Sequence, residues 1–199
     1  MQYFVTGATG FIGKRLVKKL LERKGAVVHF LIREESASKV ADLRAFWGAS
    51  AARVQPVFGD LTRKKLGLSA EALKALKGKI DHFYHLAAVY DLEADADSQI
   101  AVNIEGTRNT VELARALDAG HFHHVSSIAA AGLYEGVFRE DMFDEAENID
   151  HPYFMTKHES EKIVRKECKV PWSVYRPAMV VGDSQTGEMD KIDGPYYFF

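Results

Sequence analysis

A single cysteine, Cys168, is all that this chain of 199 residues carries. One thiol excludes an internal disulfide framework and any cysteine-based metal cluster, and it fits a reducing compartment with the thiol itself buried or inert. Long apolar runs are missing as well. No uninterrupted stretch approaches the roughly 18 residues that a membrane span needs. The first strand-like run starts so close to Met1 that it leaves no room for a basic and apolar leader, so the expected location is the cytoplasm. Charge of one sign is also lacking: 26 basic against 28 acidic residues leave a net −2, with no general electrostatic attraction to nucleic acid or an anionic membrane. Internal repeats and low-complexity segments are absent. What remains is a hydrophobic content of 47% over a length that suits one well-buried domain.

The stretch Tyr3-Phe4-Val5-Thr6-Gly7-Ala8-Thr9-Gly10-Phe11-Ile12-Gly13 organises the rest. An apolar, strand-like run breaks into three glycines and then resumes with helical spacing. Glycine serves three needs there: a sharp turn from strand to helix, phosphate access to backbone N–H groups, and close packing of helix on sheet. A pyrophosphate would sit at the helix N-terminus, where unpaired N–H groups and the dipole favour an anion. The expected cradle takes in Thr6, Gly7, Thr9, Gly10, Phe11, Ile12 and Gly13, with G-x-x-G-x-x-G spacing in place of G-x-G-x-x-G.

Downstream the chain alternates strand and helix. Ile12, Leu16, Val17, Leu20 and Leu21 mark one face of a first helix, with Lys14, Lys18, Lys19 and Glu22 opposite and Gly25 ending it. Further strands are expected at Ala26–Ile32, Val54–Phe58, Ile80–Ala88, His121–Ser126 and Trp172–Tyr175. Helices are expected near Ala37–Trp47, Ala70–Leu76, Ala96–Leu117 and Pro152–Glu167, and Gly132–Asp150 reads as a loop over the site. Continuous apolar strands suit a parallel sheet covered on both faces. With right-handed crossovers, the pattern predicts an α/β, doubly wound parallel sheet of Rossmann type. Residues 1–182 form the expected nucleotide-binding domain. Residues 183–199, ending in Tyr196-Tyr197-Phe198-Phe199, read as the start of a substrate-binding region, as in a piece of a longer chain.

In this fold class the residue about 20 positions past the glycines selects the nucleotide: an acid takes the ribose hydroxyl of NAD, an arginine the 2′-phosphate of NADP. That count lands on Arg33, whose guanidinium can hold a phosphate bidentately. NADP is favoured, while an acid one residue later, Glu34, leaves NAD open. Asp60, with Leu61 beside it at the end of the third strand, is placed for the adenine amino group, or is an ordinary turn aspartate.

The chemistry lies in Ser126-Ser127 and in Tyr153-Phe154-Met155-Thr156-Lys157. Tyrosine and lysine four apart share a helix face, and a neighbouring ammonium favours phenolate, lowering a pKa that is normally near 10. Tyr153 can then donate a proton to a carbonyl oxygen as hydride arrives from a nicotinamide, or accept one in reverse. Lys157 can also reach ribose hydroxyls. Ser127, at a strand end, would hydrogen-bond the developing oxyanion, with Ser126 the less favoured neighbour. Alone, Y-x-x-x-K usually means a surface helix; behind a glycine-rich first turn and a strand-end serine it reads as a catalytic set.

Thr6–Gly13, Ser127, Tyr153, Lys157 and Arg176-Pro177 together resemble the extended short-chain dehydrogenase/reductase superfamily. Leu86-Ala87-Ala88-Val89-Tyr90, Asn103-Ile104-Glu105-Gly106-Thr107, His124–Gly132 and His151–Glu161 are similar to the N-terminal reductase domain of bacterial alcohol-forming fatty acyl-coenzyme A reductases; thioester reductase domains share much of this pattern. The resemblance implies NADPH-dependent reduction of a long-chain acyl thioester or fatty aldehyde towards a fatty alcohol. It places Asn103 near the nicotinamide, Ala87 and Ala88 along the cofactor groove, and Pro177 beside the nicotinamide amide. It also implies further domains in a full-length chain. Two other classes stay open: a sugar-nucleotide epimerase or dehydratase on the same framework, and a nucleotide-sensing protein without turnover, which would typically lack the Tyr/Lys pair.

No metal is expected. Strand alternation turns His124 away from His121 and His123, and Asp91, Glu93, Asp95 and Asp97 imitate a calcium loop without its glycine or its final glutamate. His82 and His85 read as interior or strand-end histidines.

Overall fold

A computed structural model describes residues 1–89 and 95–189. Six strands, β1 (Gln2–Thr6), β2 (Val27–Ile32), β3 (Val54–Phe58), β4 (His82–His85), β5 (His121–Val125) and β6 (Trp172–Tyr175), form one sheet in the order β3-β2-β1-β4-β5-β6. Every pairing is parallel. The order reverses direction between β1 and β4. In such sheets ligands bind at that switch point, outside the carboxyl ends of the strands, and those ends carry the glycine loop, Arg33, Asp60, Leu86–Val89 and Ser126-Ser127. The α/β, doubly wound expectation holds.

The helices are α1 (Phe11–Leu21), α2 (Lys39–Trp47), α3 (Ala70–Leu76), α4 (Ala96–Gln99), α5 (Gly106–Ala116) and α6 (Pro152–Glu167). Strand alternation splits the apolar residues into two cores. On one face Tyr3, Val5, Val28, Phe30 and Val54 pack under Val17 and Leu20 of α1 and Trp47 of α2. On the other Phe4, Phe83 and Phe122 pack under Val111 and Leu113 of α5 and Ile163 and Val164 of α6. Burying each such side chain contributes roughly 1.5–3 kcal/mol, so these two layers hold the strand ends in register.

The face over β4 to β6 on the α1 side is polar. His82 Nδ1 lies 3.0 Å from His123 Nε2, His123 Nδ1 lies 3.0 Å from the Tyr175 hydroxyl, and Tyr84 stacks on His123 at 4.2 Å. His124 turns to the opposite face and stacks on His85.

Three expectations shift. Ile12 is not on the buried face of α1; it is 39% exposed at the helix N-terminus, and Gly13 takes the buried position. β4 stops at His85, because Leu86 to Ala88 leave the sheet to pass over the glycine loop, where a Cβ on Gly7 would lie 2.6 Å from the Ala87 nitrogen. The expected helix Ala96–Leu117 divides: α4, a π-helical segment Ile100–Glu105, then α5. Of the imitation calcium loop, Asp91 and Glu93 lie outside the described residues, while Asp95 caps α4 by accepting from the Ser98 N–H at 2.8 Å.

Candidate active site

The three glycines do different work. Gly7 turns the chain with φ +74°, a conformation that side-chain-bearing residues rarely adopt. At Gly13 a Cβ would stand 2.0 Å from the Gly7 carbonyl oxygen, so helix and loop touch there. Gly10 caps α1, and a Cβ there would meet only the Gly7 carbonyl oxygen, at 3.4 Å. Its missing side chain keeps the cradle open in front of the first N–H groups of α1, as a dinucleotide phosphate requires. Thr6 itself is fully buried, its hydroxyl 2.7 Å from His85 Nδ1.

Two cavities flank this loop. The first, about 370 Å³, is lined by Gly7, Thr9, Arg33, Asp60, Leu61 and Ala87. Arg33 pairs with Glu35 at 3.1 Å on the surface. Asp60 Oδ1 accepts from both the backbone N–H and the hydroxyl of Thr62, which hold its carboxyl below the usual carboxylate range. The sequence reading missed Ser36 and Lys39, which share this wall with Arg33. The signal available was a hydroxyl in the turn after β2 and a cation opening α2, where the helix start brings them level with the strand end.

The second cavity, about 300 Å³, lies on the other side of Leu86–Val89 and is lined by Phe11, Ile12, Ala88, Ser127, Tyr153, Lys157 and Pro177, with Met179, Val180, Val181 and Met189 adding apolar wall. These last residues escaped the sequence reading because nothing periodic marks the chain after β6. Tyr153 and Lys157 lie one turn apart on α6, whose N-terminus is set by Pro152 and by His151 Nδ1 accepting from the Tyr153 N–H at 3.2 Å. Lys157 is 6% exposed, and that burial pushes its ammonium down to about 8. The Ser127 hydroxyl accepts from the Ala129 N–H at 3.1 Å, which leaves its proton to donate. Ser126 also lines this cavity but is only 3% exposed.

Asn103 contributes to neither wall. It is buried in the π-helical segment, where Oδ1 accepts from the Val89 N–H at 2.8 Å and Nδ2 donates to the Val89 carbonyl at 3.2 Å and to the Thr156 hydroxyl at 3.2 Å.

Behind Lys157, one turn further along α6, Glu161 is fully buried between two arginines. Burial alone would push its carboxyl up, but Arg176 and Arg165 together bring it below the usual range. Arg176 also donates to the carbonyls of Arg139 and Met142, and Phe143 is held between the His158 ring, stacked at 4.3 Å, and the Arg165 guanidinium at 4.6 Å. The irregular stretch expected over 132–150 is therefore fastened to α6 and to the end of β6. Among the described residues no group of three His, Cys, Asp or Glu is placed to hold a metal, and no helix is long and apolar enough to cross a membrane.

Comparison with known proteins bears on this arrangement. The family model described as Male sterility protein matches residues 5–199. A linear gramicidin synthase chain of Brevibacillus parabrevis is 33% identical over 204 residues, covering 95% of this chain and 4% of that protein. A fatty acyl-CoA reductase of Drosophila melanogaster is 25% identical over 238 residues, covering 96% of this chain and 46% of the relative. Among solved structures, the terminal R domain from the myxalamid PKS-NRPS biosynthetic pathway superposes with a TM-score of 0.80 at 30% identity, covering 94% of this chain and 50% of that one. UDP-glucuronic acid 4-epimerase from Bacillus cereus, in complex with NAD, superposes with a TM-score of 0.72 at 27% identity, covering 93% and 59%. The chain thus spans half or less of the length of the synthase, the fatty acyl-CoA reductase and the R domain.

Proposed function

The chain belongs to the NAD-binding family described as Male sterility protein, and from that premise we propose that it is the NADPH-binding part of a reductase that converts a long-chain acyl thioester or fatty aldehyde towards a fatty alcohol. The observation that carries this reading is one cavity in which Ser127, Tyr153 and Lys157 meet walls that are otherwise mostly apolar.

The dinucleotide would lie across Leu86–Val89, with its pyrophosphate at Gly10 and the N-terminus of α1. Its adenosine half would face Asp60 and Leu61, its 2′-phosphate Arg33, and its nicotinamide half Ala88 and Pro177. When bound, it supplies the hydride for the carbonyl carbon. Ser127 donates a hydrogen bond to the carbonyl oxygen as negative charge develops there. Tyr153 delivers the proton to that oxygen, so each two-electron step takes one hydride and one proton; with a thioester the resulting hemithioacetal then breaks its C–S bond, the hydroxyl proton leaving with the thiol, to give the aldehyde that a second such step reduces. Lys157, whose ammonium has a partner in any developing phenolate, keeps the tyrosine competent and reaches the ribose hydroxyls. Phe11, Ile12, Met179 and Val181 keep water from the reacting carbon. Residues 183–199 begin the substrate-binding region in this reading.

The same walls favour an acyl substrate over a sugar nucleotide. Among the described lining residues Phe11, Ile12, Met179, Val180 and Val181 make an apolar wall, which suits an alkyl chain better than the hydroxyl groups of a sugar. The deciding experiment uses a full-length protein containing this chain, assayed with NADPH against a long-chain aldehyde, an acyl-coenzyme A and UDP-sugars. Aldehyde or thioester turnover is expected, and Tyr153→Phe should abolish it while NADPH binding persists. Turnover of the sugar nucleotide alone would overturn the substrate reading; undiminished reduction by the variant would overturn the proton-donor role.

A further inference from the structure

Beneath both cavities runs a buried line of polar side chains that none of the roles above uses. Thr107 Oγ1 lies 2.6 Å from the Asn103 carbonyl and 3.0 Å from His85 Nε2. A carbonyl can only accept, so the single Thr107 hydroxyl proton goes to Asn103. The Thr107 oxygen must then accept from His85, which places a proton on Nε2. In a neutral imidazole Nδ1 is left as an acceptor, and the Thr6 hydroxyl, 2.7 Å away, donates to it. The Thr6 oxygen in turn accepts from the Ala87 N–H at 3.4 Å. All the donors and acceptors on this line are matched by one direction of hydrogen bonding.

The line continues at its other end. Asn103 clamps both backbone groups of Val89 and donates to the Thr156 hydroxyl, which donates to the Tyr153 carbonyl at 3.1 Å. Ala87 and Val89, both on the strip dividing the cavities, are thus fixed by the same set of side chains that reaches the helix of Tyr153. Each member is buried: Thr6, His85, Asn103, Thr107 and Thr156 are all 2% exposed or less.

We propose that His85, held as the Nε2–H tautomer, is a positioning residue that ties the end of the glycine-loop strand to the helix of Tyr153 through Thr107, Asn103 and Thr156. The inference rests on the reading of the groove as a dinucleotide site. It gives Asn103 the part of shaping the groove by holding both backbone groups of Val89. The arrangement requires His85 to stay uncharged, since a second ring proton would face the Thr6 hydroxyl with donor against donor. The rings of Phe122 and His124 flank it, and burial, with the Lys157 ammonium nearby, takes its pKa down to about 3.

Two measurements test this. Nitrogen-15 NMR of the histidine rings, with His85 assigned by its loss in His85→Asn, should show a neutral Nε2–H ring unchanged from pH 8 to pH 5; an Nδ1–H ring or a midpoint near 6.5 would overturn the assignment. In fluorescence titration, Thr107→Val should weaken NADPH binding by about tenfold, while Thr107→Ser, which keeps the hydroxyl, should stay within about twofold. Equal binding by Thr107→Val and the unaltered chain would overturn the coupling and leave the cofactor reading standing. No NADPH binding by the unaltered chain would instead fail the cofactor reading, with the NMR result still judging the tautomer. Should Thr107→Val not fold, loss of affinity in Thr107→Ser beyond about tenfold would count against the hydroxyl role.

Discussion

At Lys157 the stability of the fold is set against the chemistry proposed for this residue. A buried ammonium is costly, and the depression of its pKa from 10.5 to about 8 corresponds to a native-state penalty on the order of 3 kcal/mol. The unfolded chain binds more protons between those two values, so this residue makes stability rise as pH goes from 8 towards 10.5, and below pH 8 the full penalty applies. Lys157→Met should therefore raise the stability of the ligand-free chain at pH 7 by about 2–3 kcal/mol in denaturant titrations, and the gain should shrink above pH 9. A destabilised variant at pH 7 would count against this account. The Tyr153/Lys157 spacing was legible in the sequence because i, i+4 geometry depends on nothing but the helix. The burial of Lys157 was not, because it is decided by the strand end and loop that pack over α6.

At the scale of elements, the strand–loop–helix at the start of the chain separates structural glycines from a ligand-facing one. Gly13→Ala would force a Cβ to 2.0 Å from the Gly7 carbonyl oxygen, so the chain is expected to lose several kcal/mol or fail to fold; Gly10→Ala meets only one atom, at 3.4 Å. The expected outcome is a Gly10→Ala protein with a melting temperature within a few degrees of the unaltered chain and NADPH affinity reduced at least about tenfold. Calorimetry and fluorescence titration would check the two halves independently. Strand and helix positions were readable from apolar periodicity because one side of each element must be buried. The π-helical segment Ile100–Glu105 was not readable. Its spacing departs from 3.6 where Asn103 meets Val89 of the loop after β4, 14 residues earlier, a tertiary contact that no local pattern announces.

For the molecule as a whole, the order β3-β2-β1-β4-β5-β6 gathers residues from opposite ends of the chain at one crevice. Arg33, Ser36 and Lys39 on one wall give the groove its positive end. NADPH at 100 times its Kd should stabilise the chain by about 2.7 kcal/mol in thermal or denaturant unfolding. NADH at the same concentration should protect measurably less, and Arg33→Ala should bring the two cofactors closer together. Equal protection by NADH in the unaltered chain would remove the case for a 2′-phosphate site. The sequence pointed to both halves of this crevice but not to the apolar wall at Met179–Val181, which no pattern marks. Finally, the fastening of Phe143 between His158 and Arg165, with Arg176 gripping the carbonyls of Arg139 and Met142, has a bearing on engineering. The segment from Leu133 to Val137, exposed at both named ends, joins that anchorage through the Tyr134 ring, 5.4 Å from Phe138 under the Arg176 guanidinium, so it becomes a cassette whose residues other than Tyr134 can be exchanged while the fastening to α6 stays in place.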